Sequence, residues 1–156
     1  MLSIGRHTDY AARLVLHLAS LGDDVQVTIR EVAEERLLPM PFVRRIVGQL
    51  AQAGIVTAVR GAGGGIRLAR PADKITLLDV VEALEGPVTL NRCVPGGEGC
   101  PLSERCPINC IWVGVNRQVR DNLAKARFDV LAHTPRHQQA HRLQHAATVG
   151  RRKVTA

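Results

Sequence analysis

Between residues 7 and 21, apolar side chains fall at Tyr10, Leu14, Leu18 and Leu21, with Ala11 and Val15 beside them. That spacing of three and four predicts a helix, which Gly22 ends. Thr28-Ile29-Arg30-Glu31 has the form of a capping box, in which hydroxyl and carboxylate satisfy free amides at a helix start, so a short helix is expected over 29–37. A turn follows from Leu37 to Pro41. Pro41 suits the first position of a third helix, because its missing N–H would be unpaired there. Val43, Ile46, Val47 and Leu50 give that helix one apolar face, and Gly54 stops it.

Residues 55–60 and 65–70 are strand-like, rich in Val and Ile, and the glycines between them suit a hairpin tip that needs positive φ. Two short helices, a tight turn and a hairpin suggest a winged helix-turn-helix. Residues 76–85 predict another amphipathic helix through Leu77, Val80, Val81 and Leu84, closed by Gly86-Pro87. After a loop rich in Gly, Pro and Cys over 91–110, helical spacing returns from 111 to 132 with Val115, Val119, Leu123, Ala126 and Val130. A helix of that length with little domain left to cover it is expected to pack against another chain. The expected fold is therefore mainly α with a small β-hairpin wing, a winged helix-turn-helix plus a long dimerisation helix. Its expected parts are a DNA-binding domain over 1–86, a cysteine-rich cluster-binding loop over 87–110, a dimerisation helix over 111–132 and a basic, His-rich mobile tail over 133–156.

Composition narrows the chemistry. A chain of 156 residues that is 46% hydrophobic holds one core rather than several. Aromatics make up only 3%, which argues against base-stacking RNA surfaces and predicts an aliphatic core. The formal charge of +7 is unevenly placed: residues 1–86 carry 10 basic and 10 acidic side chains, residues 87–156 carry 11 and 4. No apolar run is long enough to span a membrane, and Asp9 and Arg13 interrupt the N-terminus where a signal peptide needs an apolar stretch. A soluble cytoplasmic protein with no membrane role is expected. In that reducing compartment, Cys93, Cys100, Cys106 and Cys110 are better read as metal or redox ligands than as disulfides.

The spacing is Cys93-x6-Cys100-x5-Cys106-x3-Cys110. Zinc and iron-sulfur clusters both take soft thiolates in near-tetrahedral arrangement, but structural zinc sites favour tight pairs, and only Cys106 and Cys110 resemble one. The bland alternative is four buried, inert thiols, in a loop with little apolar core to bury them.

Thr8-Asp9-Tyr10 near the N-terminus, the stretch from Ala53 to Leu68 (AGIVTAVRGAGGGIRL), the stretch from Ile75 to Gly86 (ITLLDVVEALEG) and the cysteine loop after them resemble the winged-helix iron-sulfur transcription regulators of the Rrf type, typified by IscR and NsrR. The likeness runs from residue 1 to about 132. It implies a homodimer on palindromic promoter DNA, with an iron-sulfur cluster near the dimer interface, 4Fe-4S favoured over 2Fe-2S, on three cysteines and one other ligand. Cys93, Cys100 and Cys106 match the three cysteines. In the NsrR type an aspartate of the N-terminal Thr-Asp motif comes from the partner subunit; here it would be Asp9, whose alternative duty is a helix cap. The IscR type has a histidine three residues past its last cysteine, where this chain has Asn109. Cys110 departs from both patterns and is the alternative fourth ligand.

For DNA, the third helix is the expected reader. Arg44 and Arg45 near its start suit bidentate contact with guanine. Glycines of the wing allow close backbone approach, while Arg60 and Arg67 can meet phosphate or a narrow minor groove. The expected contact set is Thr28 and Pro41 at the helix starts, Arg44, Arg45 and Gln49 on the third helix, and Arg60, Gly63, Gly64 and Arg67 in the wing. His133, His137, His141 and His145 recur every four residues, but Pro135 weakens a helix there, and non-specific DNA affinity is the expected role of the tail. The function expected is a homodimeric DNA-binding regulator, read as a repressor, that senses nitric oxide, redox state or iron-sulfur status. The alternative is a cluster-free or zinc-stabilised regulator using its thiols as structural or redox elements. No catalytic constellation supports an enzyme.

Overall fold

The computed structural model describes residues 4–134. Helix α1 (Arg6–Leu21) turns Ala11, Leu14, Val15 and Leu18 inward, all fully buried. Helix α2 (Ile29–Glu35) starts on the expected capping box: the Glu31 N–H donates to the Thr28 hydroxyl at 3.2 Å, and the Thr28 N–H donates to the Glu31 carboxylate at 2.6 Å. It ends two residues short of the expected boundary. Helix α3 (Met40–Gln52) buries Val43, Ile46, Val47 and Leu50, and it begins at Met40, so Pro41 is its second residue rather than its first.

Strands β1 (Val56–Val59) and β2 (Gly65–Leu68) pair antiparallel, with Val56 opposite Leu68 and Val59 opposite Gly65. Both are shorter than the sequence suggested. Val27 adds a bridge to Ile66 that ties the segment before α2 to the wing. After a 3-10 turn (Ala72–Lys74), helix α4 (Leu77–Glu85) starts on a second capping box, Thr76 with Asp79. The core forms where α1 packs on α3, α4 and the last helix. Its largest fully buried aliphatic side chains include Leu14, Leu18, Ile46, Leu50, Ile66 and Leu68.

Two expectations need correction. The helix expected over 111–132 is two: α5 (Asn109–Lys125) and α6 (Phe128–His133). Between them the chain is extended, with Thr76 bridging Arg127, the Leu77 N–H donating to the Ala126 carbonyl, and the Phe128 N–H donating to the Ile75 carbonyl. That bridge stops α5 and folds α6 back onto α1. The core is accordingly not wholly aliphatic, because Phe128 on α6 is 1% exposed and is the largest of its buried side chains. The mobile tail with His137, His141 and His145 was expected in a region that lies, from residue 135 on, outside the described residues.

Candidate nucleic-acid interface and cysteine loop

Burying Val43, Ile46, Val47 and Leu50 leaves Pro41, Arg44, Arg45, Gly48 and Gln52 on the outer face of α3. A cleft between α3, the start of α2 and the wing is lined by Thr28, Arg44, Gly48, Arg60, Gly61 and Gly64. Thr28, Arg44, Arg60 and Gly64 are thereby brought together. Arg45, Gly63 and Arg67 are exposed outside this lining, and Gln49 is half-buried at the edge of the apolar face. Phe42 leans instead on α1, edge-to-face with Tyr10 at a ring separation of 6.0 Å. Among the described residues no carboxylate pairs with Arg44, Arg45, Arg60 or Arg67, so their charge is available to phosphate. The Thr28 amide holds the Glu31 carboxyl below the usual carboxylate range, so the cap stays ionised.

The wing tip is built for close approach. A side chain on Gly64 would put its Cβ 2.4 Å from the Val59 carbonyl oxygen, and one on Gly65 would lie 2.6 Å from that of Val27. Only glycine fits at either place. The Gln26 side-chain amide donates to the Gly63 carbonyl at 2.8 Å and fastens the tip to the segment before α2.

In the cysteine loop, Cys93, Cys100 and Cys106 are half-buried and Cys110 is exposed; all four are free thiols. Cys110 lies in the first turn of α5, its thiol donating to the Pro107 carbonyl at 3.1 Å. Within the single chain, no three His, Cys, Asp or Glu side chains among the described residues are gathered closely enough to hold a metal. The donor set nevertheless suits an iron-sulfur cluster chemically, being three soft, partly sheltered thiols on one loop. Asp9 is not a helix cap: Gly5 occupies that position, and Asp9 stands in the first turn, exposed and paired with Arg13 at 2.7 Å.

Polar side chains lash the loop to the helices. The Leu90 N–H donates to the buried Asn116 side chain of α5 at 2.9 Å, and the Val88 N–H donates to Glu82 of α4 at 3.1 Å. Arg120 of α5 pairs with the same Glu82 carboxylate. At the end of α4, Glu85 accepts the hydroxyl proton of buried Thr8, the neighbour of Asp9. The last turn of α4 thus touches both the start of α1 and helix α5.

Over residues 4–134 the chain matches the family described as Rrf2, iron-dependent transcriptional regulator. The chain belongs to the Rrf2 family. It is 37% identical over 109 residues to Protein aau3 of Rhizobium meliloti, a span covering 69% of this chain and 70% of that one. Among solved structures it is similar to CymR (YrzC), the global cysteine regulator of B. subtilis, with TM-score 0.68, 25% identity and coverage of 86% of this chain and 100% of that one. IscR of T. potens superposes with TM-score 0.65 at 24% identity, over 88% of this chain and 91% of that one, a likeness of fold. As an Rrf2 protein the chain is a DNA-binding transcriptional regulator with a winged helix, not an enzyme. Among the described residues no helix is long and apolar enough to cross a membrane.

Several residues of this Rrf2 chain escaped the sequence reading. Gly48 is an outward glycine in the middle of an otherwise strong helix, a legible anomaly. Gln26 and Asn116 act through contacts over long sequence separations, and nothing local marks them; Asn109, noted only for standing where the IscR type has a histidine, bonds the Cys93 carbonyl.

Proposed function

We propose that this Rrf2 protein is a homodimeric repressor that senses nitric oxide, redox state or iron-sulfur supply. In this reading a cluster, 4Fe-4S rather than 2Fe-2S, is held by Cys93, Cys100 and Cys106, with Asp9 of the partner subunit as fourth ligand. One observation carries it: three half-buried thiols share a loop whose start, at Val88 and Leu90, is tied by hydrogen bonds to α4 and α5. When bound, such a cluster supplies iron that reacts with nitric oxide or oxidants, most readily where a weak oxygen ligand leaves one iron replaceable.

The protein's own residues supply the coupling. Ile108 at the N-cap of α5 and Ile111, Trp112 and Val115 along it are exposed, α5 buries only Asn116 in its own chain, and this apolar stripe supports pairing with a second copy. A twofold pair would present its two α3 helices about one DNA turn, ~34 Å, apart. Thr8, beside Asp9, holds Glu85, while Glu82 one turn earlier holds Arg120 and the loop, so a shift of the loop against α4 is felt at the start of α1.

The second reading, a regulator whose thiols act without a cluster, is favoured by the ungathered cysteines of the single chain. Anaerobic purification with iron and sulfide analysis separates the two. The cluster reading expects coloured protein whose colour is abolished by each of Cys93→Ala, Cys100→Ala and Cys106→Ala. Full cluster retention in any of the three, or colourless protein after reconstitution, rejects the assignment.

A further inference from the structure

Asn109, the first residue of α5, holds two parts of the cysteine loop at once. Its side-chain amide donates to the Cys93 carbonyl oxygen at 2.8 Å, and its backbone N–H donates to the Cys106 carbonyl oxygen at 3.0 Å. Cys93 and Cys106 are separated by twelve residues that include Pro95, Gly96, Gly97, Gly99 and Pro101. No regular element lies between residues 86 and 108, so nothing periodic fixes where Cys93 lies relative to α5. Around Cys93 the Val94 side chain is buried, the Gly99 N–H donates to the Arg92 carbonyl at 2.9 Å and the Leu90 N–H to Asn116 of α5, but among the described residues the side chain that bonds Cys93 itself is that of Asn109.

We infer that Asn109 is a positioning residue that holds the Cys93 backbone beside the Cys106 segment at the start of α5, and so limits where the Cys93 thiol can reach before a cluster binds. This inference rests on the cluster reading given above, but the contact itself does not. Chemically the role needs a donor. An amide N–H can bond the Cys93 carbonyl, whereas a carboxylate of the same size offers only acceptors and would repel it. Hydrogen bonds that orient a metal ligand from behind typically cost about ten- to a hundredfold in metal affinity when removed.

The test uses the full chain with Asn109→Asp, which keeps the shape and removes the donor, and Asn109→Ala, which removes both. In cluster-free protein, the alkylation rate of each thiol by iodoacetamide is read by peptide mass spectrometry. Cys93 should react faster in both variants while Cys100 is unchanged, at a melting temperature close to wild type. In cluster-loaded protein, iron release to a chelator should be about tenfold faster in both variants, with an altered visible circular dichroism band. Unchanged Cys93 alkylation in both variants overturns the clamp. If wild-type protein binds no cluster, the sensing reading fails by itself, and the alkylation comparison alone decides: a rise at Cys93 upholds the positioning role, and no rise rejects it.

Discussion

At the scale of single residues, α3 makes a choice that stability does not explain. Gly48 sits mid-helix on the outer face, and a Cβ added there would meet nothing within 4 Å. Replacing it by alanine should stabilise the protein by about 0.5 to 1 kcal/mol, since glycine is the weaker helix former. The same methyl would stand between α3 and a groove, so operator affinity should fall while stability rises. Thermal melts and operator titrations on Gly48→Ala check both; a stabilised variant with unchanged affinity would place the DNA elsewhere. Arg44→Ala should cost about 1 to 3 kcal/mol and relax sequence preference, whereas Arg67→Ala should weaken all sequences alike and reduce the salt slope by about 1. Equal losses on operator and random DNA for both variants would remove α3 as the reader. His17 makes a different prediction. It is buried in α1, and burial, reinforced by the Arg36 guanidinium whose Nε–H donates to His17 Nδ1 at 3.1 Å, lowers its pKa. Above the unfolded value of about 6.5 both states are neutral and no penalty arises. Below it the unfolded chain takes a proton that the folded chain resists, so stability falls as pH drops. Urea unfolding at pH 7.5 and 5.5 should show a smaller loss for His17→Gln than for wild type; equal losses would mean His17 is not the group responsible.

Elements show why some structure was legible and some was not. Helices α2 and α3 end in the same motif: Leu38 N–H to the Ala33 carbonyl and Leu37 N–H to that of Glu34, then Ile55 N–H to the Leu50 carbonyl and Gly54 N–H to that of Ala51. The left-handed residue is Gly54 in one, with φ 67°, and Leu37 in the other, with φ 53°. Gly54 announces itself in the sequence. Leu37 does not, and the reading accordingly ran α2 two residues too far. Because Leu37 is 87% exposed and packs little, Leu37→Gly should raise stability by about 0.5 to 1 kcal/mol, the relief of left-handed strain less the entropy glycine adds to the unfolded chain. A destabilised variant in urea titration would contradict this. Capping chemistry was legible at Thr28 because its partner is a glutamate, and it was missed at Thr76, where Asp79 does the same work. The break between α5 and α6 left no trace because Val115, Val119, Leu123, Ala126 and Val130 keep helical spacing across it. What breaks the helix is a backbone bridge to Thr76, a tertiary contact no local pattern encodes.

For the whole molecule, the winged helix and the exposed arginine face of α3 followed from periodicity, glycine placement and charge, all local properties. The sensor did not. The order and spacing of the cysteines were plain, but the loop's position depends on Glu82, Asn109 and Asn116, side chains of the helices that flank it. Those ties join the loop to α4, and α4 to the start of α1 beside Asp9; in the proposed mechanism this polar route would couple the loop to the DNA-binding domain. The most direct test of that coupling is the affinity of Asp9→Ala and Cys110→Ala for an operator selected from random duplexes, measured with the cluster intact and again after nitric oxide. If Asp9 of the partner subunit ligates the cluster, Asp9→Ala stays dimeric and coloured but loses the difference in affinity between the two conditions, while Cys110→Ala responds as wild type does. A wild-type response in Asp9→Ala together with its loss in Cys110→Ala would contradict the cross-subunit mechanism and place the whole ligand set within one chain.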